Sequence, residues 1–186
     1  MAISKAAFTV ALLLSLSAWS QNVKVEVTLN PAGDFVAESN SVVGKATEDD
    51  KGMIEATDVK LDVKTLKTGI SLRDEHMVNK YLEAAKYPEI VMKIAKGKDG
   101  KGLAALIIKG KQSKVSGAYE KVGKDKLKAT FDLKLSDFDI KDISYKGIGV
   151  EDLVKVEAII PLSNKTAAAL PEAGKAKAAP VPAPKK

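Results

Sequence analysis

Apolar and polar residues alternate along several short stretches of the chain after residue 21. In "DVKLDVK", Val59, Leu61 and Val63 fall on one side, while lysine and aspartate residues fall on the other. A period of two is typical of a β-strand that buries one face and exposes the other. The pattern therefore predicts antiparallel strands that share one apolar face.

The same alternation recurs in three later segments, separated by polar turns. It is regular in "KLKATFDLKL" and looser in "PEIVMKIAKGK" and "DLVKVEAII". The turn "KDGKG" carries the Asp-Gly pair of a tight hairpin, and "EDDKG" and "KVGKDK" are polar bends. The side chains expected to face inward from these segments are Ile90, Met92, Ile94, Leu127, Ala129, Phe131, Leu133, Leu135, Val154, Val156, Ala158 and Ile160.

One segment has a helical period instead. From Asp74 to Lys86 the apolar and aromatic residues, Met77 and Tyr81 among them, recur every three or four positions, and Pro88 follows. Pattern alone therefore predicts an all-β domain, either a barrel or a sandwich, with one helix at about residues 74–86 inserted before a central strand.

The first twenty residues have the organisation of an export signal. A short positive start, Met1 to Lys5, precedes an apolar run from Ala6 to Trp19, and small residues stand where a signal peptidase cuts. A membrane anchor is the competing interpretation, but a span needs about twenty apolar residues and this run is shorter. We expect cleavage before Gln21 and a periplasmic protein.

The positive charge is concentrated at the C-terminus. The formal net charge is +6, and residues 165–186 hold five lysines against Glu172 alone, so residues 21–164 are nearly neutral. Arg73 is the sole arginine, which argues against a surface that reads nucleic-acid phosphates. The Ala/Pro/Lys composition of 165–186 predicts a disordered tail, with weak contact to an anionic cell envelope as its functional interpretation.

Few residues could carry chemistry. The chain has no cysteine and one histidine, His76, which lies close to Arg73 and Asp74 in sequence. A metal site generally needs three or four ligands, and a triad needs a nucleophile beside an oriented base. We therefore expect no catalytic and no metal site. In this interpretation Asp74 caps the helix, and Arg73 and His76 hold the preceding loop.

The expected interior is built from medium-sized apolar side chains, with few aromatic ones. Such a lining suits a long hydrocarbon better than a flat ring, provided that the strands leave a cavity. A fully packed core with no room for a ligand is the alternative that the pattern leaves open.

Several motifs together resemble the YceI-like family of exported lipid-binding proteins. These are "LKTGISLRDEHM", "KYPEI", "IIKGKQSKVSG", "LKLSDFDI" and "VEDLVKVEAIIPL", whose order and spacing match from about Phe35 to Leu162. The T-G-x-x-x-R-D-x-H-M stretch is the most specific of them. The chain departs from the family pattern at three places. The segment "FVAESNSVVGKA" is short and poor in aromatic residues, and no paired phenylalanines precede Tyr-Pro. Asp139 stands where a glycine is usual.

The resemblance implies an eight-stranded antiparallel barrel, lipocalin-like in shape, that encloses a polyisoprenoid, a quinone tail or a fatty amide. It implies no cofactor other than such a bound lipid. Arg73, Asp74 and His76 would then hold the helix at the barrel mouth and contact a polar head group. The positions expected to contact the lipid are Val59, Leu61, Val63, Met77, Tyr81, Ile90, Met92, Ile94, Leu127, Phe131, Leu133, Val154, Val156 and Ile160.

Two functional hypotheses follow from the sequence. The first is a non-enzymatic periplasmic carrier of a long-chain amphiphilic lipid. The second is a scaffold with a filled barrel, whose outer surface or Lys-rich tail binds envelope components. A dimer is compatible with both.

Overall fold

The computed structural model describes residues 21–31, 33–145 and 147–164. The expected signal at 1–20 and the expected tail at 165–186 lie outside the described residues. The strands of the described part are β1 Asn22–Asn30, β2 Asp34–Ser39, β3 Val42–Val43, β4 Ala46–Glu48, β5 Ile54–Asp62, β6 Glu89–Lys98, β7 Lys101–Ile108, β8 Lys111–Val122, β9 Lys126–Lys134, β10 Ser144–Tyr145, β11 Ile148–Val150 and β12 Leu153–Asn164.

The prediction of an all-β barrel is confirmed. Within the described residues, the sheet closes on itself in the order β12, β4, β5, β6, β7, β8 and β9, because β12 pairs with both β9 and β4. The closed ring thus has seven strands where the family resemblance implies eight. β1 pairs with β12 and carries β2 and β11 on its edges, which extends the sheet beyond the ring.

The polar turns lie where the sequence predicts them. Asp99 and Gly100, both with positive φ, join β6 to β7, and this is the backbone that an Asp-Gly hairpin requires. The bends at 48–52 and 121–126 connect β4 to β5 and β8 to β9. Hairpins of this kind keep successive strands antiparallel, so alternate side chains of every strand reach one common interior.

The helical segment differs from the prediction in its bounds. An α-helix, α1, spans Ser71–Glu75 and continues directly into a π-helix, His76–Tyr81, where 74–86 was expected. Glu83, at φ 50°, then reverses the chain, which explains why the helix ends well before Pro88. Short 3₁₀ helices occupy Val63–Thr65 and Leu135–Phe138. No helix in the described part of the chain is both long and apolar enough to cross a membrane.

Candidate functional site

The barrel contains an apolar cavity of about 450 Å³. Its wall is formed by inward side chains of β1, β2, β3, β5, β6, β7, β9 and β12, together with the helical segment 71–81 and the residues around β10 and β11. Polar groups reach the wall mainly near the helical segment, where Arg73, His76 and Tyr81 contribute. The alternative of a completely filled barrel is therefore wrong for this structure.

Most of the positions predicted to contact a lipid lie on the cavity wall. β5, β6, β9, β12 and the helical segment each contribute some of them, as the alternation of their sequences predicts. The predicted residues on the wall are Val59, Leu61, Met77, Tyr81, Ile90, Met92, Phe131, Leu133, Val154, Val156 and Ile160. Whether these side chains bind a ligand stays a prediction.

Ile94 was predicted to face inward, and this is wrong. The pairing of β6 with β7 shifts between Met92 and Ile94, because one additional residue of β6 bulges out of the ladder. The bulge reverses the alternation, so Ile94 is 38% exposed while Ala95 packs against the core. Met92 and Ile94 look equivalent in the alternating sequence but lie on opposite faces of the sheet.

Val63 and Leu127 are buried but do not line the cavity. Val63 begins the 3₁₀ helix after β5 and packs with Val78 and Ala84 in a small second cluster beneath the helical segment. Leu127 belongs to the main core, at the end of β9 that pairs with Ile160. Both therefore contribute to packing and not to the cavity wall.

Sequence reasoning missed a large part of the wall. The strand β1 has a regular alternation in "NVKVEVTLN" that could have identified it, whereas Leu106 and Ile108 lie in an apolar run without a period of two. The residues around β10 and β11 carry no periodic signal at all. The missed wall residues include Val23, Val25, Val27, Leu29, Phe35, Ala37, Val42, Leu106, Ile108, Ile140, Ile143, Ile148 and Val150.

The cavity opens between the helical segment and the region of β10 and β11. Ile70 and Leu72, at the start of α1, line the cavity and are 51% and 49% exposed. The Tyr81 hydroxyl donates a hydrogen bond across this opening to the backbone oxygen of Ser144, at 3.5 Å. We call this opening, between residues 70–81 on one side and Ser144 and Ile148 on the other, the mouth of the cavity.

Arg73 and His76 both line the cavity at the mouth. The Arg73 guanidinium stacks on the ring of Phe35 from β2, which also lines the cavity. A cation held on an aromatic face in this way keeps donor groups free for hydrogen bonds to a polar ligand group. The arrangement places a guanidinium and an imidazole side chain at the boundary between the apolar cavity and solvent.

Asp74 was expected to cap the helix, and this is wrong. It lies inside α1, whose N-cap position is Ile70, and it is not on the cavity wall. Its carboxylate accepts hydrogen bonds from the amide and the hydroxyl of Thr68, each at 2.7 Å, and so fixes the loop before the helix. Burial opposes ionisation of Asp74, but the Thr68 hydrogen bonds and the charges of Lys67 and Arg73 outweigh it and lower the pKa of this carboxyl.

Metal-ligating groups are scattered in the described part of the chain. Among these residues, no three His, Cys, Asp or Glu side chains come together in a way that could hold a metal ion. The apolar wall can bury an apolar group, and the polar side chains at the mouth can form hydrogen bonds.

Comparison with known proteins identifies a family and similar folds. The sequence model of the YceI-like domain family matches residues 17–161. The crystal structure of BcnA from Burkholderia cenocepacia is similar with a TM-score of 0.61 at 16% identity, covering 75% of this chain and 94% of that one. A polyisoprenoid binding domain from Saccharophagus degradans, implicated in plant cell wall breakdown, gives 0.53 at 12% identity, covering 77% and 93%. No curated protein matches the sequence.

Proposed function

We propose that this chain, which belongs to the YceI-like family, is a binding and carrier protein that holds the hydrocarbon part of an amphiphilic lipid inside its barrel. The observation that carries the proposal is the apolar cavity of about 450 Å³ with polar side chains confined largely to its mouth. Ligand sites of soluble proteins commonly have this form, a concave apolar volume with a few polar groups that fix orientation.

Burial of the hydrocarbon supplies the affinity in this proposal. Each methylene removed from water contributes about 0.8 kcal/mol, so a ten-carbon stretch would contribute around 8 kcal/mol before the entropy costs of binding. Polar contacts at the mouth then need only orient the head group. Arg73 and His76 are the side chains placed to make them.

The class of ligand is a long apolar chain with a small polar end, such as a polyisoprenoid, a prenylated quinone or a fatty amide. Support comes from the shape and apolar lining of the cavity. It also comes from the Saccharophagus domain, which shares the fold and whose name describes it as polyisoprenoid binding. Binding of such a lipid requires no catalytic group.

Export is a further part of the proposal. The sequence pattern of residues 1–20 supports cleavage before Gln21 and a periplasmic location. Fractionation of cells that express the full chain, with the intact mass of the purified product, tests both points. We expect the mass of a chain that begins at Gln21, recovered from the periplasm, and a cytoplasmic protein that retains Met1 would contradict the proposal.

Deletion of residues 165–186 separates lipid binding from envelope contact. The shortened protein is expected to take up a prenylated quinone as well as the full chain does, because the cavity wall lies within residues 23–160. It is expected to lose association with anionic envelope fractions, since it loses the five lysines of the tail. If neither form takes up the quinone while only the full chain binds the envelope, the protein is a surface scaffold and not a carrier.

A further inference from the structure

The cavity ends partway along the barrel. On β5, β6 and β7, the inward residues Val59, Met92 and Leu106 pair with one another and line the cavity. The next inward row on the same strands, away from the mouth, consists of three alanines that also pair, and none of them is on the wall. Those alanines are Ala56, Ala95 and Ala104, and all pack in the main core. The floor of the cavity therefore lies between these two rows.

Small side chains on one wall must be matched by large ones from the other wall if the barrel is filled there. Tyr119 on β8 supplies such bulk one row beyond the alanines, where Gly97 pairs with Gly102. Its ring crosses Gly97 of β6, so closely that a Cβ atom at Gly97 would collide with it. It also lies over Gly102 of β7, where a Cβ atom would be 3.8 Å from the ring.

Tyr119 lies beside the cavity wall without being part of it. It pairs across the strands with Ala129, and Ala129 lines the cavity. Gly97 has no positive φ that would require glycine, so the close approach of the ring is the physical reason for a residue without a side chain there. The Tyr119 ring on Gly97 thus acts as a plug beneath the cavity.

The volume above the plug limits how much hydrocarbon fits. A water molecule takes about 30 Å³ of liquid volume and a methylene group is similar in size, so 450 Å³ holds roughly fifteen carbon atoms. This corresponds to about three isoprene units. Carbon atoms beyond that number would remain at the mouth, where burial no longer contributes to affinity.

We infer that the cavity is a blind pocket which selects lipids by the length of chain that it buries, about three isoprene units, and that Tyr119 sets this limit. The inference rests on the proposed function and deepens it. The limit on chain length distinguishes this site from an open tunnel, in which affinity would grow with every added isoprene unit.

Affinities for geraniol, farnesol, geranylgeraniol and geranylfarnesol, measured by displacement of a fluorescent apolar probe, test the inference. These prenols share a head group and differ by one isoprene unit at each step. A buried methylene adds roughly fourfold to affinity, so the wild-type protein should gain steeply from geraniol to farnesol and then change by less than about threefold. In Tyr119→Ala, the gain should extend to geranylgeraniol, by roughly tenfold or more over wild type.

Two control variants make the result specific. Tyr87→Ala removes the same side chain from a position that packs on Gly110 and is not on the cavity wall, so its length profile should equal that of wild type. Ala129→Leu puts a larger side chain on the cavity wall beside the floor. It should therefore shift the limit on lipid length to shorter chains. It also tests the inference if Tyr119→Ala does not fold.

The outcomes distinguish this inference from the proposed function. A wild-type affinity that keeps rising steeply through geranylfarnesol overturns the length limit and leaves the lipid carrier intact. A folded Tyr119→Ala variant with the wild-type profile overturns the role of Tyr119. If the wild-type protein binds no prenol and no other long-chain amphiphile, the proposed function itself fails and the inference fails with it.

Discussion

The guanidinium carbon of Arg73 lies 4.2 Å from the centre of the Phe35 ring. Arg73 belongs to α1 and Phe35 to β2, two elements far apart in sequence, and both side chains line the cavity at or near its mouth. The pair therefore ties the helical segment to the sheet at the place where a lipid would enter. Its strength should influence both stability and ligand binding.

The coupling between Arg73 and Phe35 can be measured with a double-mutant cycle. Arg73→Lys keeps the charge but loses the planar group that stacks, and Phe35→Leu keeps apolar bulk but loses the ring. We expect a coupling free energy of about 0.5–1 kcal/mol from urea unfolding of the two single variants and the double variant. Additive effects of the two substitutions would show that the contact contributes nothing to stability.

The carboxylate of Asp74 should make stability depend on acid pH. Its pKa is lowered from the ordinary 3.8, since the Thr68 hydrogen bonds and nearby cations favour the charged form over the cost of burial. The stability that the ionised Asp74 carboxylate contributes is thus fully present above pH 3.8 and is lost as the pH falls through the lowered pKa. Asp74→Asn should be less stable than wild type by about 1 kcal/mol at neutral pH.

The difference between wild type and Asp74→Asn should shrink as the pH falls below 3.8. Urea midpoints across an acid series provide the measurement. Thr68→Val is the companion variant, because it removes one hydrogen-bond donor and should return the pKa of Asp74 toward its ordinary value. A stability difference that stays constant or grows in acid would contradict this assignment.

Met92 and Ile94 form a matched pair for testing the cavity. Met92 lines it, while Ile94 is exposed on the outer face two positions along the same strand. Met92→Asp should abolish retention of a bound lipid because it places a charge in the apolar cavity. Ile94→Asp should retain lipid at the wild-type level. Both are read by lipid extraction after circular dichroism has verified the fold, and equal retention by two folded variants would count against the cavity as the binding site.

Asp139 offers a test of backbone strain. It has a left-handed φ of 59° after the 3₁₀ helix Leu135–Phe138, a conformation that favours glycine. Its ion pair with Lys141, at 3.6 Å, is exposed and contributes little. Asp139→Gly should therefore be more stable by about 0.5 kcal/mol and Asp139→Ala less stable by about 1 kcal/mol. If thermal unfolding ranks alanine above glycine, the strain argument is wrong.

The sequence predicts those parts of the fold in which local pattern and tertiary structure agree. The alternation around Phe131 and Leu133 is regular, and both residues line the cavity as expected. Beyond Met92 the prediction fails at Ile94, because a bulge changes the face of the strand without changing the hydrophobic period. A single sequence does not mark the residue at which the register between two paired strands shifts.

Other features depend on contacts between distant segments. Gly97 lies within β6 and makes room for Tyr119 from β8, a residue more than twenty positions later in the chain. Asp74 looks like a helix cap, yet α1 begins at Ser71 and the carboxylate binds Thr68 behind it. The identities of these residues were informative, but their partners were set by the packing of the barrel.

Native mass spectrometry of the purified full chain, followed by organic extraction of whatever it carries, tests the central claim most directly. A carrier should show a stoichiometric added mass that extracts as a long-chain amphiphile such as a prenol or a prenylated quinone. A lipid-free protein that still takes up none of these compounds when they are supplied would contradict the account.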